Sequence, residues 1–219
     1  MPMLTASAHA TVELTIDGAE DLTPPLVARV QDFCDRAEDA DPGTPAVLRL
    51  GGAANGAAPL DVALVNKWER ALRRVERLPV TTVAVVSGAC GGLALEALLA
   101  TDYRIATAGT SLTVPVRDGA AWPGMALYRL ANQVGVAAVR RNVLFDEPLA
   151  APAALSLGLL DRLVDDEAEA VSLVGALPKP GGAPGPLRQL LLEATTTTFE
   201  EALGRHLAAC DRVLRGGER

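Results

Sequence analysis

The fold is decided by residues Pro79–Ala106, whose sequence is PVTTVAVVSGACGGLALEALLATDYRIA. Within this stretch, the apolar run Val80–Val86 predicts a buried strand, and Ser87–Leu93 predicts a glycine-rich turn. Ala94–Thr101 then predicts an apolar helix, and Tyr103–Ala106 predicts another short strand. A buried strand followed by a turn and a helix is typical of α/β proteins, so the stretch indicates a sheet with helices packed on it.

The segment before this stretch has the same alternation. Polarity and capping signals predict, in turn, a strand, a helix with Thr23 as N-cap and Pro24 at its first position, a strand, a small-residue loop and a helix with an arginine-rich outer face. These elements are Thr11–Ile16, Pro24–Ala40, Ala46–Leu50, Gly51–Pro59 and Asp61–Arg77. Strands that alternate with helices in this way imply right-handed parallel crossovers.

The second half of the chain is predicted to be mostly helical. The predicted helices are Gly124–Gln133, Ala137–Leu144, Ala151–Leu157 and Glu167–Leu177. Lys179–Pro186 predicts a flexible break, and Leu187–Leu214 has a helical pattern. The break divides a core, residues 1–178, from a helical C-terminal segment, residues 179–219.

Composition and charge exclude several classes of protein. The 219 residues include 20 Lys and Arg against 27 Asp and Glu, a net charge of −7, and 49% are hydrophobic. The apolar share excludes global disorder, and the acidic balance argues against a nucleic-acid partner. No apolar run approaches the ~20 residues of a membrane span, and the N-terminus has no secretory signal. We therefore expect a cytoplasmic protein with no membrane partner.

The cysteines and histidines predict neither a disulfide framework nor a metal site. Cys34, Cys90 and Cys210 are far apart and odd in number, which fits a reducing compartment. Cys90 is predicted to be a small buried hydrophobe. The only histidines, His9 and His206, form no cluster with metal-ligand spacing.

Two glycine-rich loops, Gly51–Pro59 and Ser87–Leu93, each follow a strand and precede a helix. Backbone N–H groups at the start of a helix are free and attract negative charge. Two such loops can place one N–H group each against the same developing oxyanion. Neither loop has a lysine or matches a P-loop or dinucleotide fingerprint, which argues against a phosphate site. The alternative is that the glycines only permit tight turns.

Glu96 lies in the otherwise apolar run LALEALLA, one turn into the helix predicted at Ala94–Thr101. A carboxylate at this position is either exposed or buried beside a site. If Glu96 is buried near an apolar ligand, its pKa rises, which suits general acid–base catalysis.

Three blocks of the chain resemble the crotonase (enoyl-CoA hydratase/isomerase) superfamily. They are Pro79–Ala106, which carries the central signature, Trp122–Gly135, and Phe145–Val164, which ends in GLLDRLV. The resemblance extends over about residues 11–210. It implies an α/β fold, a crotonase-like spiral of ββα units over residues 1–178, with a helical trimerisation segment at 179–219.

The resemblance also implies a substrate class and a set of site residues. Members bind acyl-CoA thioesters, so coenzyme A is expected as the carrier of the substrate and no further cofactor is expected. Two backbone N–H groups would polarise the thioester carbonyl and stabilise its enolate. The family pattern assigns these donors to Ala57 and to Leu93, with Gly92 beside it. Glu96 matches the first of the two catalytic glutamates of hydratases.

The sequence departs from the hydratases at the acid pair. The second glutamate of hydratases falls at Val116, which can act neither as an acid nor as a base. Asp118 lies two residues further on and is a candidate substitute acid, although a solvated loop aspartate is the alternative. Another acidic position of family isomerases falls at Gly124. Glu96 is thus expected to be the single acid–base residue, which suits dehydration or isomerisation better than hydration of an unactivated alkene.

Within the superfamily, the short length and the reduced acid pair are most similar to small hydratase-like auxiliary proteins of bacterial 3,5-dihydroxyphenylglycine biosynthesis. These proteins assist a type III polyketide synthase and sister crotonases in making 3,5-dihydroxyphenylacetyl-CoA, a precursor of glycopeptide-type antibiotics. The resemblance implies acyl-CoA dehydratase or isomerase activity, these enzymes as partners, and a homotrimer or hexamer. The alternative is a non-catalytic protein of crotonase fold that stabilises or activates the synthase or a sister crotonase.

Overall fold

A computed structural model of the protein describes residues 11–53, 55–56, 60–117, 119–178 and 184–216. Its strands are β1 (Val12–Asp17), β2 (Ala46–Gly52), β3 (Asn55–Gly56), β4 (Thr82–Cys90), β5 (Tyr103–Thr107), β6 (Ser111–Leu112), β7 (Val116–Arg117), β8 (Ala120–Ala121), β9 (Leu149–Ala150) and β10 (Arg162–Val164). Its helices are α1 (Pro24–Glu38), α2 (Val62–Val75), α3 (Gly92–Leu98), α4 (Met125–Val134), α5 (Val136–Leu144), α6 (Ala151–Ser156), α7 (Glu167–Ala176), α8 (Gly185–Ala194) and α9 (Phe199–Gly216). Within these ranges, no helix has the length and apolarity needed to cross a membrane.

The main sheet has a parallel centre with the strand order β1-β2-β4-β5-β10. β6 pairs with the end of β4 and, in the antiparallel direction, with β9. A second small sheet joins β3, β7 and β8. Helices α1, α2 and α3 connect the successive parallel strands β1, β2, β4 and β5, so the predicted α/β fold with parallel crossovers is confirmed. The carboxyl ends of these strands meet at one edge, which is where ligands bind in open α/β sheets.

Apolar side chains cover both faces of the sheet. On one face, α1 contributes Phe33 and α2 contributes Trp68 to a core in which both residues are almost completely buried. On the other face, Val83 and Ile105 pack against Val174 of α7. The site described below lies where the first of these layers reaches the carboxyl edge of the sheet.

The sequence predicts the starts of α1 and α2 correctly. The Thr23 hydroxyl accepts a hydrogen bond from the Leu26 N–H at 3.4 Å. The Asp61 carboxylate accepts one from the Leu64 N–H at 2.6 Å. Both caps satisfy a backbone donor that the first turn of a helix leaves without an acceptor.

Strand β4 is longer than predicted and takes up much of the turn expected at Ser87–Leu93. It continues to Cys90 because β6 pairs with its last two residues. Helix α3 begins at Gly92, two residues before the predicted start, and ends at Leu98. The predicted glycine-rich turn is therefore reduced to the junction between β4 and α3.

Short strands that the sequence does not signal complete both sheets. β3 lies inside the loop predicted at Gly51–Pro59 and pairs with β7. β10 follows α6 and pairs with β5. Each has two or three residues, too few for an alternating pattern to be visible.

Arg188 of α8 anchors the C-terminal helices to the core. Its guanidinium donates hydrogen bonds to both carboxylate oxygens of Asp102. It also donates to the backbone carbonyls of Glu76 at 3.1 Å, Leu78 at 2.8 Å and Val80 at 2.9 Å. The residue is 9% exposed, and every one of its terminal nitrogens has an acceptor.

The helical pattern predicted at Leu187–Leu214 corresponds to two helices, α8 and α9. Within the break predicted at Lys179–Pro186, residues 179–183 lie outside the described ranges. Helix α9 keeps large apolar side chains exposed to solvent. They are Phe199, Leu203, Leu207, Val213 and Leu214.

Two of the cysteines are buried and one is exposed. Cys34 and Cys90 lie in the core, where burial raises the pKa of each thiol to about 12. The prediction that Cys90 is a small buried hydrophobe is confirmed. Cys210 on α9 is exposed.

Candidate active site

Glycines at the ends of β1, β2 and β4 let three backbone segments meet. The Gly18 N–H donates to the Gly51 carbonyl at 2.6 Å, and the Gly91 N–H donates to the Gly52 carbonyl at 3.0 Å. A Cβ atom at Gly18 would lie 2.2 Å from the Gly91 carbonyl oxygen and 2.3 Å from that of Gly52. Because no side chain tolerates such distances, Gly18 is required for this close approach.

A cavity lies beside these strand ends. It has a volume of about 70 Å³ and opens to solvent at its mouth. The apolar wall includes Leu60, Val65, Trp68, Leu93 and Trp122. The polar lining comprises Glu20, Asp21, Glu69, Glu96 and Arg117. The cavity thus combines a mostly apolar wall with a few polar groups, as ligand sites do.

Glu96 of α3 is buried in the wall of this cavity, with 3% of its surface exposed. The indole N–H of Trp68 donates to its Oε2 at 2.6 Å. Burial, and after it the negative charge of Glu69, raise the pKa of Glu96, while the Trp68 hydrogen bond and Arg129 lower it, and together these influences give a pKa of about 7. The exposed alternative for Glu96 is therefore wrong. A carboxyl group with a pKa near neutrality can both give and take a proton at physiological pH.

A chain of charged groups runs from the cavity into the core. Arg129 of α4 donates to Glu69 Oε2 at 2.8 Å and to Glu76 Oε1 at 2.7 Å. Arg73 donates to the other oxygen of Glu76 at 2.7 Å. Arg129 is 7% exposed, so the carboxylate of Glu69 is paired with a buried positive charge. In the described part of the chain, no group of three or more His, Cys, Asp or Glu side chains is placed to hold a metal ion.

The start of α3 places Gly92 and Leu93, two of the residues predicted as oxyanion donors, in the wall of the cavity. Gly92 begins the helix with a φ of +51°, Leu93 follows it, and both line the cavity together with Glu96. N–H groups in the first turn of a helix have no acceptor within that helix, and the helix dipole favours negative charge there. The structure therefore brings Gly92, Leu93 and Glu96 together. Ala57, the other predicted donor, lies outside the described residues.

The two positions that the resemblance assigns to further acids of hydratases and isomerases are Val116 and Gly124. Val116 lines the cavity with an apolar side chain. At Gly124, an added Cβ atom would lie 3.0 Å from Glu96 Oε1 and 2.7 Å from the Trp122 ring, so the start of α4 packs closely against Glu96. Asp118, the candidate substitute acid, lies outside the described residues.

Sequence reasoning missed Glu69 and its partner Arg129. Glu69 directly follows Trp68, which belongs to the buried stripe of α2. An acidic residue next to the aromatic residue of a buried stripe is the one local signal that points to it. Nothing local signals the pairing with Arg129, which lies 60 residues further along the chain.

Comparison with known proteins agrees with this geometry. Residues 50–209 match the family model described as enoyl-CoA hydratase/isomerase. The chain is 47% identical over 206 residues to an enoyl-CoA-hydratase from Amycolatopsis orientalis, a match that covers 92% of this chain and 95% of that protein.

Solved structures resemble the model over nearly the whole chain. An enoyl-CoA hydratase/isomerase from Marinobacter aquaeolei superposes with a TM-score of 0.74 at 17% identity, covering 93% of this chain and 87% of its own. An enoyl-CoA hydratase/isomerase family protein from Silicibacter pomeroyi gives a TM-score of 0.74 at 19% identity, covering 95% and 97%. At these identities the likeness shows the fold alone.

The fold is thus the crotonase fold, as the sequence motifs predicted. Because the family model spans most of the chain and a relative is 47% identical over nearly its full length, the chain belongs to the enoyl-CoA hydratase/isomerase family of the crotonase superfamily. Its class of activity is the processing of acyl-CoA thioesters.

Proposed function

We propose that the protein is an acyl-CoA dehydratase or isomerase that assists a type III polyketide synthase in forming 3,5-dihydroxyphenylacetyl-CoA. The observation that carries the catalytic part is the burial of Glu96 in an apolar cavity, where its pKa rises to about 7, beside the first N–H groups of α3. The pathway part rests on the likeness to the small auxiliary proteins described above.

In the proposed mechanism, the thioester carbonyl oxygen accepts hydrogen bonds from the Leu93 N–H and from the Ala57 N–H, the donor that the family resemblance assigns. These donors stabilise the negative charge that develops on the oxygen as the enolate forms. Glu96 transfers the proton. Because the pKa of Glu96 is about 7, both its protonated and ionised forms are populated at the operating pH.

The apolar side chain of Val116 supports dehydration or isomerisation over hydration. Addition of water to an unactivated alkene uses one carboxylate as the base and another as the acid, and Val116 occupies the position of the second. A β-hydroxy thioester that is one step from an aromatic ring loses water readily, because aromatisation stabilises the product. Modest catalysis is sufficient for such a step.

A product assay tests this proposal. Malonyl-CoA is incubated with the type III synthase alone, with the synthase and this protein, and with the synthase and the Glu96→Gln variant. We expect the wild-type protein to raise the yield of 3,5-dihydroxyphenylacetyl-CoA and the variant to lose roughly 10²–10⁴ of the rate gain. Glu147→Gln, a change at a surface glutamate that pairs with Arg141, is the matched control.

The outcomes separate the proposal from its alternative. If wild type and Glu96→Gln raise the yield equally, the protein acts as a non-catalytic partner of the synthase or of a sister crotonase. If neither changes the yield, the pathway assignment fails and only the family membership stands.

We also propose a homotrimer, or a pair of trimers, assembled through α9. Exposed apolar side chains on that helix support this, since Phe199 and Val213 are each 75% exposed and Leu207 is 58% exposed. Contiguous exposed apolar surface of this kind marks an interaction site. Light scattering after gel filtration should give a trimer or hexamer mass for the wild type and a lower mass for Leu207→Glu. A monomeric wild type would refute the assembly.

A further inference from the structure

The cavity contains a second carboxylate, Glu69, which the proposed function does not use. It lies on α2, immediately after Trp68, the residue that donates to Glu96. Glu69 and Glu96 line the same cavity. Thus α2 supplies both the hydrogen-bond donor that holds Glu96 and an additional acidic group in the wall of the site.

The surroundings of the two carboxyl groups differ in charge. Glu69 accepts a hydrogen bond from the guanidinium of Arg129 at 2.8 Å, and that arginine is 7% exposed. A hydrogen bond from a guanidinium to a carboxylate is charge-assisted and fixes the position of the carboxylate group. Glu96 accepts a hydrogen bond from the neutral indole of Trp68 instead. Two carboxyl groups that line one cavity in different surroundings can take separate roles as base and acid.

Burial raises the pKa of Glu96 most, and three neighbouring groups modify it. Glu69 from α2 adds negative charge, which disfavours ionisation of Glu96, while Arg129 from α4 and the Trp68 hydrogen bond favour it. Glu20, Asp21 and Arg117 line the same cavity. The balance leaves Glu96 with a pKa of about 7, so it retains its proton over the acidic half of the physiological range.

We propose that Glu69 is the second catalytic carboxylate of this site, the base that removes the α-proton of the acyl group, while Glu96 is the acid. This inference rests on the proposed function and specifies its chemistry as dehydration. Glu69 lies on α2, whereas the position that the resemblance assigns to the second glutamate of hydratases, Val116 here, lies in strand β7. The acid pair would thus be restored from another element of the fold.

The step balances as an elimination. Glu69 takes the α-proton of a β-hydroxyacyl thioester, and the electron pair of that C–H bond forms the α,β double bond. The β-carbon–oxygen bond breaks, and Glu96 donates its proton to the departing hydroxyl group, which leaves as water. Glu69 then carries a proton and Glu96 is ionised. Transfer of that proton from Glu69 to Glu96 restores the starting state.

The two roles are separable because α-proton removal does not require a leaving group. Phenylacetyl-CoA in D₂O reports α-proton exchange alone, and 3-hydroxybutyryl-CoA reports the full dehydration. We expect Glu69→Gln to lose at least about 100-fold in both reactions. Glu96→Gln is expected to lose at least about 100-fold in dehydration and to keep exchange within about tenfold of the wild type.

Two further variants separate chemistry from packing. Glu147→Gln, at a surface glutamate that pairs with Arg141, is the control and should retain exchange per folded molecule. Glu69→Asp keeps a carboxylate but withdraws it by one methylene. It is expected to melt near the wild-type temperature and to lose at least about tenfold in exchange.

The results distinguish failure of this inference from failure of the proposed function. Full exchange in Glu69→Gln or Glu69→Asp overturns the role of Glu69. If Glu96→Gln loses α-proton exchange and Glu69→Gln retains it, Glu96 is the single acid–base residue. That result overturns the role of Glu69 and leaves the proposed function intact. A wild-type protein inactive on both thioesters overturns the role of Glu69, and the product assay with the synthase decides the proposed function separately.

Discussion

Glu96 and Arg188 are both charged side chains with less than a tenth of their surface exposed, yet their surroundings are opposite. Arg188, 9% exposed, donates to Asp102 and to three backbone carbonyls. Glu96, 3% exposed, accepts one hydrogen bond from a neutral donor and lies beside another carboxylate. The hydrogen-bond partners of Arg188 compensate for the burial of its charge, and those of Glu96 do not.

The difference separates a structural role from a chemical one. A buried charge with a full set of partners holds elements together, and removing it leaves several groups unpaired. A buried carboxyl group with few partners is costly to ionise, and that cost is what raises its pKa toward neutrality. Perturbed groups of the second kind cluster at functional sites. The predictions below test this contrast, beginning with the largest expected effect.

Arg188→Met should give the largest loss of stability. It leaves the carbonyls of Leu78 and Val80 without this donor and the Asp102 carboxylate with only its hydrogen bonds from Thr82, and breaking one side of a buried pair costs about 3–5 kcal/mol. Urea unfolding measures the change. Arg212→Met, on the adjacent helix α9, is the control and should change the free energy of unfolding by less than ~0.5 kcal/mol. Equal losses in the two variants would contradict the anchoring role of Arg188.

Glu96→Gln should instead stabilise the protein at alkaline pH. In the folded protein Glu96 keeps its proton up to about pH 7, whereas its ordinary pKa is 4.5. The folded state therefore binds an extra proton between these values, and the stabilising contribution that is complete below pH 4.5 is lost as the pH rises to about 7.

Measuring the free energy of unfolding of both proteins from about pH 4.5 to about pH 8 checks this sign. The difference, variant minus wild type, should grow by about 3 kcal/mol across the window and stay constant above it. The amide oxygen that the substitution introduces can still accept the Trp68 hydrogen bond, so the packing of the variant is preserved. A difference independent of pH would show that Glu96 is ionised throughout.

Trp68→Phe should have a smaller effect. The substitution keeps an aromatic ring in the core but removes the donor to Glu96 Oε2, and the loss of one buried hydrogen bond costs about 1–3 kcal/mol. Because that hydrogen bond lowers the pKa of Glu96, its loss raises the pKa. The pH at which the free energy of unfolding stops falling should therefore move upward. If that pH is the same as in the wild type, the hydrogen bond from Trp68 does not lower the pKa of Glu96.

Arg215→Gln should have the smallest effect and sets the baseline. Arg215 pairs with Asp211 on the exposed surface of α9 at 2.9 Å. Exposed ion pairs at this spacing are worth about 0.5 kcal/mol or less, because solvent screens both charges. If the urea midpoint shifts as much as it does in Arg188→Met, burial does not determine how much each of these two arginines contributes to stability.

The sequence predicts the parts of the site that are local in the chain. Gly92, Leu93 and Glu96 lie within one strand-turn-helix segment, so a short motif fixes their relative placement. The cap at Thr23 is predicted for the same reason, since the cap and the donor it accepts from are three residues apart.

Features that depend on distant pairing are not visible in the sequence. Arg188 and Asp102 are 86 residues apart, and the charge chain from Glu69 to Glu76 joins α2 to α4 through Arg129. The continuation of β4 to Cys90 depends on β6, which has only two residues. Local patterns do not specify these contacts, because they form only when the sheet brings the elements together.

The cysteines give the molecule a built-in attachment point. Cys34 and Cys90 hold their protons because burial raises the pKa of each thiol to about 12, and only the thiolate is nucleophilic. Cys210 is exposed on α9. A maleimide fluorophore should therefore react at that helix alone. Because α9 is the helix proposed to mediate assembly, the label should attach faster to a dissociated subunit than to the assembly, without any engineered residue.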